Sequence, residues 1–250
     1  MSIVKVENLT KVYGKGSAQV TALDNVNFEV PKGQFLAIVG PSGSGKSTLL
    51  NCISCYIPFD EGKIVLGGRE LKNLSEEELA KVRNEKLGFV FQDFMLLDGL
   101  NIRENILLPS IINGNVGKKE EKLADDLLNI FGIEHIKDKF PADVSGGERQ
   151  RTAVARALIN NPLMILADEP TGNLDSKSSR AVIESFREAI NKLDATILMV
   201  THDSFSASFC DRVVLLQDGT VYRNMEKGES REAFHDQLLL AIKEMSGDTK

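Results

Sequence analysis

The sequence predicts an α/β fold built on a mainly parallel β-sheet. Continuous apolar runs at Phe35–Val39, Leu163–Ala167 and Thr196–Val200 have the length of strands that helices cover on both faces. Amphipathic helical patterns lie between these runs, as parallel strands require. The segment from Ile3 to Val30 instead alternates apolar and polar residues, which predicts an antiparallel portion near the N-terminus.

Several helices can be placed from their ends and their apolar faces. Ser75–Glu78 has the pattern of a capping box, in which hydroxyl and carboxylate satisfy the free amides at a helix start. The stretch from Lys119 to Phe131 has one apolar face and ends at Gly132, which predicts a helix. Helical spacing also predicts helices over about 178–193 and from Ser230 to Met245.

Composition limits the class of protein. The chain has 250 residues, of which 42% are hydrophobic and 26% charged, and this excludes a disordered or fibrous protein. Its net charge of −6 gives no basic surplus that would indicate nucleic acid as a partner. The longest apolar runs fall far short of the ~20 residues that a membrane span needs. We therefore expect a soluble, cytoplasmic protein.

Three cysteines, Cys52, Cys55 and Cys210, are an odd number for a disulfide framework, so a reducing compartment is expected. Cys52 and Cys55 match the C-x-x-C pattern of redox or metal sites. No second Cys or His pair lies nearby in the sequence, and Ser47–Cys55 has the pattern of one helix. We interpret the two cysteines as small residues packed on that helix.

The strongest local motif is Gly40–Ser47, which matches G-x-x-x-x-G-K-S. It follows the strand Phe35–Val39 and opens a helix, where glycines let the backbone wrap phosphates and the helix amides face the anion. Lys46 would reach the outer phosphates and the Ser47 hydroxyl would bind Mg²⁺. A merely glycine-rich turn is the alternative, since the pattern arises by chance in about 1% of such chains.

Two acidic residues end the apolar run Leu163–Glu169. Their carboxylates are expected at the carboxyl edge of the sheet, where ligands bind in open α/β folds. Asp168 would hold the water shell of Mg²⁺, and Glu169 would polarise an attacking water. A strand that ends in Asp-Glu is a weak signal alone and a strong one beside the phosphate loop.

A second anion-binding helix start lies between these two motifs, at Ser145–Glu148, before the helical run Thr152–Asn160. Far more residues separate Lys46 from Asp168 than one strand-helix unit needs, so a sizeable segment is inserted there. A chain that acts alone has one nucleotide site to fill but two such helix starts. We therefore expect the second to serve a nucleotide held by another copy or a paralogue.

In combination these motifs resemble the ATP-binding-cassette ATPases, over about residues 1–225. Gly40–Ser47 is similar to the Walker A loop, Leu163–Glu169 to the Walker B strand, and Ser145–Glu148 to the signature L-S-G-G-Q, from which Val144 and Glu148 depart. The resemblance implies a P-loop NTPase of the ATP-binding-cassette type, with the antiparallel N-terminal portion, an inserted α-helical subdomain at about 93–161, and a C-terminal helical extension at 226–250.

The resemblance also assigns roles to residues that are weak signals alone. Gln92 matches the glutamine that binds Mg²⁺ and responds to the membrane partner, Asp175 lies in the D-loop, His202 matches the histidine that contacts the γ-phosphate, and Tyr13 falls where a ring stacks on adenine. His135 and His235 receive no role. ATP and Mg²⁺ are thus the implied cofactors, with Lys46, Gln92, Glu169 and His202 as catalytic residues, Ser47, Gln92 and Asp168 at the metal, and nucleotide contacts from Tyr13, Gly40, Pro41, Ser42, Gly43, Ser44, Gly45, Lys46, Ser47, Thr48, Ser145, Gly146, Gly147, Glu148 and Asp175.

Within the family, the absence of a membrane segment from the sequence implies a motor subunit that binds a separate permease and forms a homodimer when ATP is bound. Phe91–Pro109 resembles the macrolide-export and lipoprotein-release group. Asp98, Thr171–Ser178 and the C-terminal helix resemble the bacitracin-resistance type, which acts on bacitracin and lantibiotics. We expect such a subunit on the cytoplasmic side of the plasma membrane, held there by its permease.

Alternatives remain open at this point. One is a macrolide-export or lipoprotein-release ATPase, and others are non-transport members that act on DNA or ribosomes. DNA clamps carry long coiled-coil insertions, and this chain has no sustained heptads and no positive charge; nucleic acid is therefore not expected. The apolar row Phe94–Leu97 could pack the helical insertion or line a groove for a permease helix.

Overall fold

The computed structural model describes residues 1–247, apart from the side chain of Ser17. One compact unit comprises Met1–Leu79 and Thr196–Lys250, and the other comprises Ala80–Ala195. In chain order the strands are β1 (Ser2–Tyr13), β2 (Val20–Pro31), β3 (Phe35–Val39), β4 (Glu61–Leu66), β5 (Arg69–Glu70), β6 (Leu87–Val90), β7 (Met164–Asp168), β8 (Ile197–Thr201), β9 (Arg212–Gln217) and β10 (Thr220–Glu226). The helices are α1 (Lys46–Ile53), α2 (Glu76–Lys86), α3 (Ile102–Ile112), α4 (Lys118–Ile130), α5 (Gly146–Leu158), α6 (Ser176–Leu193), α7 (Ser204–Ala207) and α8 (Arg231–Met245), with short 3-10 turns at 16–18, 134–136 and 141–143.

The first unit contains both kinds of sheet that the sequence predicts. Strands β2, β1, β4 and β5 form an antiparallel sheet in that order. Strand β3 pairs in parallel with β8 on one side and with β9 on the other, and β10 closes an antiparallel hairpin with β9. All residues of β3 and β8 are buried, which explains their unbroken apolar sequences.

Strand register in this unit positions the candidate site. Val39, the last residue of β3, lies opposite Thr201 of β8 and Leu215 of β9. The phosphate loop begins at the next residue, Gly40, and His202 follows Thr201 directly. The loop and the histidine therefore leave neighbouring strands at the same edge.

In the second unit, β6 pairs in parallel with β7, and Val90 lies opposite Ala167. Gln92 comes two residues after Val90, and Asp168 comes one residue after Ala167. Both therefore lie at the carboxyl ends of two paired strands. The apolar run at 163–167 predicted a strand that begins one residue earlier than β7 does. The same shift of one residue is found for β8 in the first unit. The carboxylate of Asp168 accordingly belongs to the last residue of β7 itself.

The predicted helices are present with small shifts at their ends. The capping box before α2 forms, since Ser75 N–H donates to Glu78 Oε2 at 2.9 Å and Glu78 N–H donates to Ser75 Oγ at 3.3 Å. Helix α4 ends near Gly132, whose φ is +64°. Within residues 1–247, no helix is long and apolar enough to cross a bilayer.

One helix prediction is wrong. Helix α1 ends at Ile53, and Cys55 follows it with a left-handed φ of +63°, so the two cysteines do not share a helix. Both are buried, as predicted, and neither forms a disulfide. Burial raises the pKa of Cys52 to about 12, so its thiol stays neutral and packs as a small apolar group.

Candidate functional site

The phosphate loop of the first unit requires glycine at two positions. Gly45 has a φ of +99°, and a Cβ there would lie 2.5 Å from the Ala22 carbonyl oxygen. A Cβ at Gly40 would lie 2.2 Å from the Leu216 carbonyl oxygen. The backbone can therefore take this tight path only without side chains at these positions.

The amino end of α1 follows a glycine. Gly45 occupies the N-cap position and has no side chain with which to cap the helix. The first intrahelical hydrogen bond runs from Leu49 N–H to Gly45 O at 2.8 Å, so the amides of residues 46–48 precede it. Backbone amides at an uncapped helix start attract anions.

Two side chains of the loop suit a phosphate ligand. Lys46 Nζ donates to the carbonyls of Gly40 (2.8 Å) and Pro41 (2.9 Å), which holds the ammonium over its own loop. The Ser44 hydroxyl is buried and has no hydrogen-bond partner among the described residues. Because an unpaired buried hydroxyl is costly, an anion that accepted its hydrogen would be stabilised there.

The β9–β10 turn supports this loop, which the sequence did not indicate. Gly219 N–H donates to Ser44 O at 3.1 Å, and Asp24 N–H donates to Gly219 O at 2.9 Å. A Cβ at Gly219, where φ is +77°, would lie 2.8 Å from the Ala22 carbonyl oxygen. The turn is thus part of the structure that shapes the phosphate loop.

His202 and Tyr13 complete the candidate residues of the first unit. His202 is exposed and directly follows the last residue of β8. The backbone after it is fixed by a hydrogen bond in which Asp203 N–H donates to Thr201 Oγ1 at 3.0 Å. Tyr13 ends β1 with 44% of its surface exposed, and Lys11 Nζ lies 5.3 Å from its ring centroid. The ring is accessible for stacking against a base.

In the second unit, the backbone turns sharply after β7. Glu169 has a φ of +45°, which is unusual for a residue with a side chain and is typical of functional sites. Gly172 N–H donates to Glu169 O at 3.0 Å and closes the turn. The turn places Asp168 at the end of the strand and Glu169 at the first residue beyond it.

Gln92 is tied to the segment that follows this turn. Its Nε2 donates to Asn173 Oδ1 at 3.0 Å, and Asn173 Nδ2 donates to Asp93 Oδ1 at 2.7 Å. A Cβ at Gly172 would lie 3.0 Å from the Gln92 amide, so glycine lets the two segments approach. Asn173 therefore connects the proposed metal ligand Gln92 with the segment beyond Glu169.

Ser145 and Glu148 form a capping box at the start of α5. Glu148 N–H donates to Ser145 Oγ at 3.3 Å, while Glu148 Oε2 accepts from the Ser145 amide (2.8 Å) and hydroxyl (2.7 Å). His135 Nε2 lies 3.1 Å from Glu148 Oε1. The Ser145 hydroxyl, then its amide and His135, hold the pKa of Glu148 below its usual value.

The D-loop lies against this helix start. A Cβ at Gly146 would be 3.0 Å from Leu174 Cδ2, and one at Gly147 would be 3.2 Å from Ser178. Asp175 caps α6, accepting from the amides of Lys177 and Ser178 at 3.0 Å, and the Ser178 hydroxyl above all lowers its pKa. Asp175 thus has a structural role in addition to the nucleotide contact that the resemblance implies.

Two residues of α5 that the sequence analysis passed over fix the neighbouring loops. Gln150 is fully buried, and its Nε2 donates to the carbonyls of Phe91 (3.0 Å) and Pro170 (2.7 Å). It joins the segments that precede Gln92 and follow Glu169. Gln150 lies within a helical run and belongs to no pattern that would have revealed these long-range bonds.

Arg156 is the second. Its guanidinium donates to the carbonyls of Phe94, at 2.7 Å, and Met95, two consecutive residues with φ of +60° and +50°. Burial lowers the pKa of Arg156 to about 10. The guanidinium therefore holds the chain after Gln92 in a conformation that side chains rarely favour.

Comparison with known proteins agrees with this geometry. Residues 23–172 match the family model described as "ABC transporter". The chain is 43% identical to the bacitracin export ATP-binding protein BceA of Halalkalibacterium halodurans, over 96% of this chain and 95% of that protein. It is 42% identical to the macrolide export ATP-binding/permease protein MacB of Chlorobaculum tepidum, over 92% of this chain but 35% of that protein. The dimeric, ADP- and Pi-bound cassette MJ0796 matches with a TM-score of 0.79 and 40% identity, over 91% of this chain and all of that one.

Proposed function

Because the chain belongs to the ABC transporter family as an ATP-hydrolysing, ATP-binding subunit, we propose that it powers resistance to peptide antibiotics of the bacitracin or lantibiotic type. The observation that carries this proposal is the likeness to BceA, which extends over nearly the full length of both chains. The likeness to MacB favours macrolide export as a second candidate. It spans only the ATP-binding part of a protein whose name includes a permease.

The residues divide the work of hydrolysis as follows. Lys46 and the amides at the start of α1 bind and neutralise the outer phosphates. Ser47, Asp168 and Gln92 would hold Mg²⁺, which supplies charge neutralisation at the phosphates. Glu169 accepts a proton from the attacking water, and His202 contacts the γ-phosphate. Tyr13 stacks on the adenine.

The start of α5 serves a nucleotide bound by a second copy of the chain. The amides of Gly146 and Gly147 precede the first intrahelical bond, from Arg149 N–H to Ser145 O, and the capping box does not use them. They are suited to an anion that arrives from outside the unit. The dimeric state of the MJ0796 cassette supports this arrangement.

A separate permease binds the second unit at a largely apolar pocket of about 280 Å³. Of the row Phe94–Leu97, only Met95 lines it, because the Phe94 ring lies under the Arg149 guanidinium at 5.0 Å. Methionine and aromatic side chains are enriched at protein interfaces. The pocket also includes Arg156, which links its occupancy to the loop after Gln92. Its apolar lining further includes Leu87, Phe89, Phe91, Leu108, Pro109 and Ile112.

The proposal is tested in a strain that lacks the gene, complemented with the wild-type chain or with Glu169→Gln. We expect the deletion to raise sensitivity to bacitracin or a lantibiotic, and only the wild-type chain to restore resistance. Glu184→Gln is the matched control, since Glu184 is an exposed partner of Arg180 on α6. A deletion that changes macrolide sensitivity alone would favour the second candidate.

Purified Glu169→Gln tests the chemistry separately. We expect turnover to fall by roughly 10²-fold or more, because a general base contributes about that much. The variant should sediment as a dimer with ATP and Mg²⁺ and as a monomer without them. Wild-type turnover in Glu169→Gln would show that another group activates the water.

A further inference from the structure

Helix α8 is a built-in part of the first unit. Phe234, Leu238, Ala241 and Met245 follow helical spacing and are all buried. Ser230 caps the helix, its Oγ accepting from Ala233 N–H at 3.3 Å. A helix with a continuous buried face is rigidly packed, so it can position the neighbouring segments that it contacts.

The carboxyl end of α8 contacts the β9–β10 hairpin. Gln217 Nε2 donates to Met245 O at 3.1 Å, and Arg223 forms an ion pair with Glu244 at 2.9 Å. Gln217 lies two residues before Gly219, whose amide supports the phosphate loop through Ser44 O. This end of α8 is therefore connected to the turn that supports the phosphate loop.

The amino end of α8 contacts α7. His235 Nε2 lies 3.3 Å from Ser204 Oγ, and its ring meets the Phe205 ring edge-on at 6.2 Å. The Arg231 guanidinium lies over the rings of Phe205, at 5.5 Å, and Phe209, at 4.7 Å. Cation–π contacts of this kind fix the direction of the partner rings.

Helix α7 is a single turn that begins two residues after His202. A helix this short does not hold itself together and depends on its cap and its neighbours. Asp203 supplies the cap, accepting from the amides of Phe205 (3.0 Å) and Ser206 (3.1 Å). The backbone of His202 thus lies between the fixed end of β8 and a turn that packs on β3 and β8 and also contacts α8.

We propose that Arg231 and His235 are positioning residues for hydrolysis, which hold α7 so that His202 meets the γ-phosphate. The proposal rests on the role of His202 given above. Neither side chain touches the nucleotide. Their effect is on geometry, and a misplacement of about 1 Å at a catalytic group can cost about 10²-fold in rate.

The test compares Arg231→Ala and His235→Ala with the wild-type chain in single-turnover hydrolysis at saturating ATP and Mg²⁺. We expect the rate to fall about tenfold or more, while the Kd for ATP changes less than about twofold. Arg231→Lys, which keeps a cation over the rings, should recover most of the rate. Leu240→Ser, at a position of α8 that is 62% exposed, is the matched control and should hydrolyse ATP as the wild type does.

A double-mutant cycle distinguishes positioning from general weakening. In the His202→Ala background, Arg231→Ala should cause no further loss of rate, because the two residues act through one contact. A further loss equal to that in the wild-type background would overturn the proposal. Should Arg231→Ala fail to fold, His235→Phe carries the same test, since it keeps a ring against Phe205 but cannot bond Ser204.

The failure of this proposal can be told from the failure of the function on which it rests. A wild-type rate in Arg231→Ala and His235→Ala beside a slow His202→Ala overturns the positioning role alone. A wild-type rate in His202→Ala overturns the role of His202, and the positioning role with it.

Discussion

The helices α1 and α5 both begin after glycine-rich segments that suit an anion, but their first amides are satisfied differently. At α1, the N-cap residue is Gly45, which has no side chain with which to cap the helix. At α5, Ser145 and Glu148 cap each other's amides, and His135 contacts the carboxylate. The N-cap residue of the first helix thus leaves room for a ligand, whereas the second helix is capped by its own side chains.

This difference assigns nucleotide binding to the start of α1 and the association of two copies to the start of α5. A helix start that depends on phosphate is expected to bind nucleotide in a single copy of the chain. A capped start keeps only the amides of Gly146 and Gly147 available and is stable before any nucleotide arrives. This stability suits a surface that contacts a nucleotide held by another copy. Each end can be altered alone, so the contrast is testable.

The largest expected effects come from changing the charge at each helix start. Lys46→Ala loses a charge-assisted bond to the outer phosphates, so we expect ATP affinity to fall about tenfold or more and hydrolysis to be lost. Ser145→Asp keeps an oxygen that can accept at the cap, but it adds a negative charge beside Glu148 and where the second nucleotide would lie. It should lose hydrolysis while a single copy binds ATP within about twofold of the wild-type affinity. Fluorescent-nucleotide titration and ATPase assays measure both.

If Ser145→Asp instead weakened ATP binding as much as Lys46→Ala does, the two helix starts would serve one nucleotide in the same copy. Arg180→Ala, at an exposed position of α6 where the side chain pairs with Glu184, is a control for a substitution on the neighbouring helix.

Substitutions of two serines give the next largest effects. They differ in how they change the free energy of unfolding without nucleotide. Ser145→Ala removes a helix cap and should lower the free energy of unfolding by about 1 kcal/mol. Ser44→Ala removes a buried hydroxyl without a described partner, so stability without nucleotide should be unchanged or slightly higher. With nucleotide, Ser44→Ala should lose about tenfold in affinity, because a bond to a charged group is lost. Denaturant unfolding with and without ATP checks each sign.

The smallest effect concerns pH. The pKa of Glu148 is lowered in the folded chain, so its stabilisation is fully present above the ordinary value of 4.5 and is lost as the pH falls through the lowered folded pKa. Glu148→Gln keeps the shape of the cap and should cost about 0.3–1 kcal/mol near pH 6. The difference from the wild type should shrink below pH 4.5. Urea unfolding at several pH values measures it, and a difference independent of pH would show that the carboxylate charge plays no part.

Local patterns were sufficient for the parts of the fold that local forces decide. The five buried residues of β3, the capping box at Ser75 and the helix start at Ser145 are visible in the sequence, because burial on both faces and helix starts leave short-range signatures. Cys55 shows the limit. Helical spacing continued through it, but the left-handed turn after Ile53 is set by packing that periodicity does not record.

The contacts that join the candidate residues are long-range, and for that reason the sequence did not reveal them. Gln150 bonds to carbonyls on two other segments, and Asn173 bonds to Gln92 and Asp93, each about eighty positions away in the sequence. His135, which had no motif around it, contacts Glu148. Such partners are chosen by tertiary structure, so a single sequence carries no spacing rule for them.

The most direct test of the central claim, that the α5 start of one copy completes the site on the α1 start of another, is a mixing experiment. Lys46→Ala is defective at its own α1 start, where ATP binds more weakly and is not hydrolysed, but keeps a normal α5 start; Ser145→Asp has the reverse defect. An equal mixture is predicted to hydrolyse ATP faster than the sum of the two variants measured alone, because a mixed dimer contains one intact site. A mixture of Lys46→Ala with the Lys46→Ala/Ser145→Asp double variant should show no gain. A rate equal to the sum in the first mixture would contradict the account.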